Sequence, residues 1–300
     1  MLWLPISILA YLLNAVATAI DKFLLSKKIP NPAVYAFFIS ALSLVALALI
    51  PFGFRLYPLD QIAIALIGGV IFTFALLYMF KALHKNEASR ITPFIGGLQP
   101  IFIFILAWIF LSETLSAKTL LAFIIIIAGT LLISWNQAGR FFTKSSRVSY
   151  LFAIISTVFF AISYTISKYA YTEQGFISGF VWTRVGAFLG ALLLLLLAKN
   201  RRDIMKEIKQ PKKETGLLFL CGQTGGALSF ILVNKAMDLS SNIAVVNALR
   251  GLEYVFLLII VLSLHKKFPN LLGEKITSQT LAQKILATGL IIAGLIILII

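Results

Sequence analysis

The chain has 300 residues, of which 60% are apolar and only 12% charged, with a mean hydropathy of +0.98. Soluble globules carry about 25% charged residues, so the composition excludes a water-solvated fold and makes lipid the solvent. The formal charge of +15 could attract nucleic-acid phosphate, but its placement along the chain accounts for it without a nucleic-acid partner.

A bilayer core takes about 20 apolar residues per helical span. The apolar stretches predict ten spans, at 2–25, 32–51, 60–81, 88–111, 116–134, 148–171, 175–198, 214–235, 241–264 and 280–300. The expected fold is therefore an all-α integral membrane protein of ten transmembrane helices. Ala17-Thr18-Ala19 resembles a signal-peptidase site at the end of the first apolar run, but the lysines follow that run instead of preceding it, so it is expected to remain as a span. The single Cys221 excludes an intrachain disulfide and a multi-cysteine metal site.

Twenty of the 26 Lys and Arg residues fall in alternate connections: Lys22, Lys27 and Lys28; Lys81, Lys85 and Arg90; Arg140, Lys144 and Arg147; seven between Lys199 and Lys213; and Lys266, Lys267, Lys275 and Lys284. The other connections hold only Arg55, Lys118, Lys168 and Lys235. By the positive-inside rule the first face is cytoplasmic, which puts both termini on the opposite side.

The chain also repeats itself. A shift of 154 residues brings Lys81-Ala82 onto Lys235-Ala236, Gly97-Leu98-Gln99 onto Gly251-Leu252-Glu253, and Phe102 onto Phe256. A shift of 146 places Thr18 on Tyr164 and Lys22 on Lys168. The reading is two five-helix repeats, 1–135 and 148–300, joined by a basic connection at 136–147. Five is odd, so the second repeat enters the membrane from the other side, and inverted repeats of this kind hold substrates near the bilayer midplane.

Certain segments resemble the EamA-type ten-helix carriers of the drug/metabolite transporter superfamily. They are Glu87-Ala88-Ser89-Arg90 leading into Gly97-Leu98-Gln99-Pro100, then Leu111-Ser112-Glu113-Thr114-Leu115-Ser116 and Ala128-Gly129, and in the second half Leu272-Gly273-Glu274-Lys275-Ile276-Thr277 and Ala293-Gly294. The resemblance runs over essentially the whole chain. It implies a carrier of amino acids or related metabolites in the cytoplasmic membrane, with export as one direction. Two features depart from the family pattern: Tyr254 stands opposite Pro100, and the ninth-to-tenth connection is long. The resemblance also implies cytoplasmic termini for many members, opposite to the charge bias in this chain.

A charge at the centre of a membrane helix costs about 2.5–3.5 kcal/mol on insertion scales and so should face protein or water. Glu253, Arg250 and Arg184 meet that description. The i, i+3 spacing puts Arg250 and Glu253 on one face, where they can neutralise each other or share a substrate. Gln99 is the repeat partner of Glu253 and is expected to line the same central region. Arg184 has no acidic residue within two turns, so it is expected to pair with a distant carboxylate such as Glu253, to hold an anionic substrate group, or to reach an interface. Tyr11, Asn14, Thr18 and Lys22 form one polar stripe and Thr157, Tyr164 and Lys168 its counterpart, of which Asn14 and Tyr164 are taken as candidate lining residues. Lys22 and Lys168 are expected to snorkel to opposite interfaces. Glu113 and Glu274 suit the N-terminus of the helix that follows each. Trp3, Trp108, Trp135 and Trp182 suit interfacial anchoring, with Trp182 also near enough to Arg184 to stack on a ligand.

His84 and His265 stand outside any metal-ligand spacing, and neither a phosphate-binding loop nor a nucleophile elbow is present. The expected function is therefore not enzymatic and needs no cofactor or metal. It is alternating-access transport of a small polar or amphipathic metabolite, with membrane lipid as the surrounding partner and a proton or counter-substrate as coupling species. The reading from a different class is a lipid handler, either a scramblase or a partner in envelope-lipid modification.

Overall fold

The computed structural model describes residues 2–27, 31–85, 88–134, 144–209, 213–264 and 278–299. Outside it lie Trp135, Arg140, His265 and the 265–277 segment with Glu274, as do the side chains of Lys22 and Cys221. The described residues are helical: α1 (Trp3–Lys27), α2 (Pro32–Leu42) continuing into a 3-10 segment (Ser43–Phe52), α3 (Leu59–Lys85), α4 (Ala88–Leu111), α5 (Ala117–Ser134), α6 (Lys144–Leu194), α7 (Ala198–Lys209), α8 (Lys213–Leu239), α9 (Ile243–Ala248), α10 (Gly251–Leu264) and α11 (Ser278–Ile299). By length and composition, Trp3–Ile20, Pro32–Phe52, Leu59–His84, Phe94–Leu111 and Arg147–Leu194 can cross a membrane, and Ala117–Leu132 and Ala282–Leu298 are shorter apolar helices. An all-helical build is one that lipid permits, because a helix satisfies its own backbone groups.

Local chemistry sets the element ends. Asn31 Oδ1 accepts the Ala33 N–H at 2.9 Å, and Pro32 occupies the first turn of α2, where its missing N–H is not needed. The 3-10 segment ends after Pro51 at Gly53, whose φ of 114° only glycine adopts easily. Helix α6 breaks at Gly175, with φ 70° and ψ 158°. Its 48-residue apolar stretch would extend about 72 Å if straight, against a hydrocarbon core of about 30 Å. The break turns it into two limbs, 144–174 and 176–194.

Helix α3 shows the direction of each limb. Gln174 Nε2 donates to Gln61 O at 2.8 Å, Ser163 Oγ to Gly68 O at 2.8 Å, Ser156 Oγ to Ala75 O at 2.8 Å and Ser149 Oγ to Ala82 O at 2.8 Å. As α3 numbers rise, first-limb numbers fall, so the two run antiparallel. The second limb runs the other way: Gly186 lies against Leu66, Gly69 against Thr183 and Ala187, and Gly190 against Thr73. These glycines permit backbone contact, which is how apolar helices associate in lipid.

Two further contacts relate segments that the internal shifts of the sequence align. Ser229 Oγ on α8 donates to Ala10 O on α1 at 2.7 Å, and Ser156 Oγ donates to Ala75 O at 2.8 Å. Shifts of 146 and 154 carry residue 10 to 156 and residue 75 to 229, so both bonds join the same pair of positions with donor and acceptor exchanged. Between α5 and α11, a Cβ on Gly129 would meet Ala287 O at 2.9 Å and Ile291 Cγ1 at 2.8 Å, while one on Gly294 would meet Ala122 O at 3.0 Å. Ile126 closes on Gly294 as Ile291 closes on Gly129.

The 199–213 region, a basic connection in the sequence, contains amphipathic α7. Its Ile204 is fully buried, and Asp203 accepts from Asn31 Nδ2 at 2.7 Å. That bond ties the first basic connection to the fourth. The ninth predicted span, 241–264, is interrupted: α9 ends at Ala248 and α10 starts at Gly251.

The α5–α11 seam makes a prediction. Gly129→Ala pushes a methyl into backbone and should destabilise by about 1–3 kcal/mol. Gly289→Ala on α11 meets nothing within 4 Å and should be neutral or stabilising by up to about 1 kcal/mol. Thermal denaturation of both variants in detergent checks the order, and equal stabilities would remove the seam from the account.

Candidate functional site

The site grows from the interruption between α9 and α10. Asn242 caps α9, its Oδ1 accepting from Ala244 N at 3.1 Å and Val245 N at 3.2 Å. Past the end of α9 the ladder tightens, with Arg250 N donating to Asn247 O at 3.1 Å, Leu252 N to Leu249 O at 2.9 Å and Glu253 N to Arg250 O at 3.0 Å. These i, i+3 bonds bring Arg250 and Glu253 out of the apolar run at the helix joint.

Glu253 is 2% exposed and is held from α1, one helical turn apart: Asn14 Nδ2 donates to Oε2 at 2.6 Å and Thr18 Oγ1 to Oε1 at 2.8 Å. Arg250 faces α4, where its Nη1 donates to Gln99 Oε1 at 3.0 Å. Gln99 Nε2 in turn donates to Asn247 Oδ1 at 3.2 Å, and Asn247 Nδ2 donates to Ile243 O at 3.0 Å and contacts Met237 Sδ at 3.3 Å. Tyr11 Oη donates to Val246 O at 2.9 Å, and Tyr254 Oη to Thr92 O at 2.9 Å. Gly96 leaves room for this arrangement, since a Cβ there would strike the Tyr254 hydroxyl and lie 3.3 Å from Arg250 Cδ.

The direct Arg250–Glu253 neutralisation expected from spacing does not occur. Among the described residues the recorded ion pair is Lys235–Asp238, at 2.6 Å. Each central charge is instead bound by neutral side chains from another helix. The spacing rule sees one helix only, whereas the partners of Glu253 lie 239 and 235 residues away.

Arg184, on the second limb of α6 and 5% exposed, is not paired with Glu253 either, nor does it reach an interface. Its guanidinium carbon lies 4.5 Å from the ring centroids of Phe72 and Phe230 and 5.6 Å from that of Phe180, within cation–π range. Its Nε has no hydrogen-bond partner. Tyr164 is buried next to it, stacked on Phe160 with centroids 6.0 Å apart and tilted against Phe230 at 6.4 Å. Trp182 meets Phe54 at 5.7 Å, away from a ligand role beside Arg184. Trp108 is exposed on α4, as a lipid-facing side chain would be.

Two further expectations need correction. Lys168 does not snorkel: its Nζ donates to the Met237, Asp238 and Ser240 carbonyls at 2.9, 3.2 and 2.7 Å, neutralising the negative C-terminal end of α8. Glu113 serves a helix N-terminus, but that of α9 rather than the following α5, its Oε2 accepting the Ile243 N–H at 3.0 Å. Both residues thus hold the α8–α9 corner from outside. Asn247 was missed by sequence reasoning. Its signal was an amide one turn before Arg250 in an otherwise apolar run. Among the described residues, no group of three His, Cys, Asp or Glu is placed to hold a metal.

Comparison with known proteins adds the following. The EamA-like transporter family model matches residues 1–135, so the first half of the chain is EamA-like. No curated protein matches the chain. A solved structure, described only as the crystal structure of a protein, superposes with a TM-score of 0.64 at 20% identity, over 97% of this chain and 94% of its own. That likeness extends the shared fold over both halves and carries no function.

Glu113 gives this region a pH dependence. Burial raises its carboxyl above the ordinary 4.5, against the lowering effects of the Ile243 N–H and Lys168. A raised carboxyl favours the neutral form in the fold, so its contribution is greatest below 4.5 and falls as pH rises through the raised value. Glu113→Gln keeps an acceptor for Ile243. Its thermal stability relative to the parent should therefore increase as pH goes from about 4 to 7, a trend that melting curves across that range will show or fail to show.

Proposed function

We propose that the chain is a secondary carrier of the drug/metabolite transporter superfamily, with ten spans in two inverted five-helix halves, that moves a small polar or amphipathic metabolite by alternating access. The EamA-like match implies a membrane transporter, and the exchanged Ser229–Ala10 and Ser156–Ala75 bonds and the reciprocal α5–α11 seam support the inverted repeat. In this reading 1–135 and 148–300 are the halves. The Asn31–Asp203 bond, linking two basic connections, supports one basic face that is cytoplasmic and termini that face away from it.

The observation that carries the proposal is that a buried carboxylate and a guanidinium, one turn apart at a helix joint, are each bound by neutral side chains instead of by each other. A locked ion pair would resist exchange. Neutral amides and hydroxyls from α1 and α4 can be replaced by ligand groups as the halves rock, because a substrate offers the same hydrogen bonds without separating opposite charges. Interrupted helices lining a midplane site are the form in which transporters present such groups. Glu253 and Arg250 contact the substrate or coupling proton, Gln99 and Asn14 exchange with it, and Tyr164 and Arg184 line the path.

The test is a thermal-shift screen of purified protein against amino acids, organic anions, sugar phosphates and cationic amphiphiles, beside Glu253→Gln and Arg250→Ala. A true substrate at about 100 times its Kd should stabilise the parent by about 2.7 kcal/mol and neither variant, and should then move across liposomes. Equal shifts in all three proteins, or shifts from lipid alone, would make the network structural and favour a lipid handler.

A further inference from the structure

The central region is not electrically balanced. Among the described residues, Arg184 and Arg250 bring two positive charges into the apolar interior and Glu253 brings one negative charge, leaving a surplus of one positive charge. Lys168 and Glu113 lie within electrostatic range of each other at the α8–α9 corner and offset one another there. The surplus is therefore carried where the fold gives least compensation, at Arg184. Arg250 has Gln99 as acceptor and Glu253 nearby, whereas Arg184 has three ring faces, an Nε without a hydrogen-bond partner and no carboxylate in ion-pair reach among the described residues.

Ring faces attract a cation through their quadrupole but carry no net charge. They can hold a guanidinium in place without neutralising it, and they leave its Nε, one donor of the fork that fits a carboxylate bidentately, without a hydrogen-bond partner. Around that guanidinium the surface is aromatic: Phe72 lies 5.6 Å from Phe160, 6.5 Å from Tyr164 and 5.3 Å from Phe230. Tyr164 stands within electrostatic range of both Arg184 and Arg250, so this cluster is continuous with the α9–α10 network.

Building on the carrier reading, we infer that the substrate is an organic monoanion with an aromatic body, its carboxylate received by Arg184 and its ring packed against the cluster of Phe72, Phe160, Tyr164 and Phe230. A monoanion restores electroneutrality in the membrane interior. A zwitterion leaves the surplus in place, and a cation increases it.

Three probes sharing one phenylethyl body separate these cases: 3-phenylpropionate, phenylalanine and phenethylamine. Thermal shift and equilibrium binding would be measured with the full chain in nanodiscs of zwitterionic lipid. The expected order of affinity is 3-phenylpropionate first, phenylalanine weaker and phenethylamine without effect. Arg184→Gln should lose about ten-fold or more in 3-phenylpropionate affinity and Arg184→Lys distinctly less, since lysine keeps the charge but not the fork. Unliganded Arg184→Gln should melt no lower than the parent, because the change removes an uncompensated charge. Should that variant misfold, the order of the three probes on the parent still decides. Phenylalanine or phenethylamine binding as well as or better than 3-phenylpropionate, or 3-phenylpropionate binding unchanged in Arg184→Gln, would overturn the monoanion assignment. If such binding still required Glu253 and Arg250, the carrier reading would survive. Failure of all three probes on the parent would overturn the monoanion assignment alone, because the broader screen judges the carrier reading separately.

Discussion

A carboxylate placed in hydrocarbon must be solvated by protein, and the arrangement around Glu253 follows from that requirement. Ionised groups at the centre of a span are expensive on every scale, and Glu253 is 2% exposed. Water is replaced by an amide and a hydroxyl from α1, Asn14 and Thr18, at short hydrogen-bond distances. This draws α1 onto α10, and α1 in turn lies along α8, where Ser229 bonds back to Ala10. Glu253 thus fixes the approach of α1 to α10, two helices far apart in sequence, and the separate Ser229 bond holds α8 against the same α1.

The joint that presents Glu253 needs support of its own. Interrupting a helix releases backbone groups that lipid cannot satisfy. Here the i, i+3 bonds at residues 250–253 take up part of that demand, and Asn247 returns a bond to Ile243 O. The outer end of α9 is held by Glu113 and Asn242, and the end of α8 by Lys168. The short helix is thus tied at one end to the α4–α5 connection through Glu113 and at the other to Gln99 through Arg250. Polar side chains at both ends, rather than apolar burial alone, set its position.

What the sequence revealed and what it hid divide along the same physical line. Hydropathy reports a property of each stretch by itself, so helical segments and their membrane character were readable from composition. The cost of burying charge singled out Glu253, Arg250 and Arg184, and the internal shift added Gln99, all without a structure. Partners were not readable, since contacts between helices have no signature in spacing. Arg250 and Glu253 looked like a pair at i, i+3, yet each is satisfied from another helix. The three rings around Arg184 come from α3, α6 and α8, and phenylalanines in apolar spans look like lipid-facing residues until packing is known. Lys168 looked like an interfacial lysine because nothing local announced the carbonyls at the end of α8. Gly175 opens the seventh predicted span, but its role as the turning point of one long helix depends on its φ of 70°.

The α5–α11 seam has one further consequence. Gly129 meets Ala287 and Ile291 as Gly294 meets Ala122 and Ile126, with each residue of one helix 165 positions from its counterpart in the other. A surface that contacts its own equivalent in this way is self-complementary, the property that defines a two-fold homodimer interface. The seam therefore carries, within a single polypeptide, the geometry by which two half-length chains could join. A substitution on one side can be matched by the same substitution on the other, so a single rule of small residues facing branched ones governs both helices.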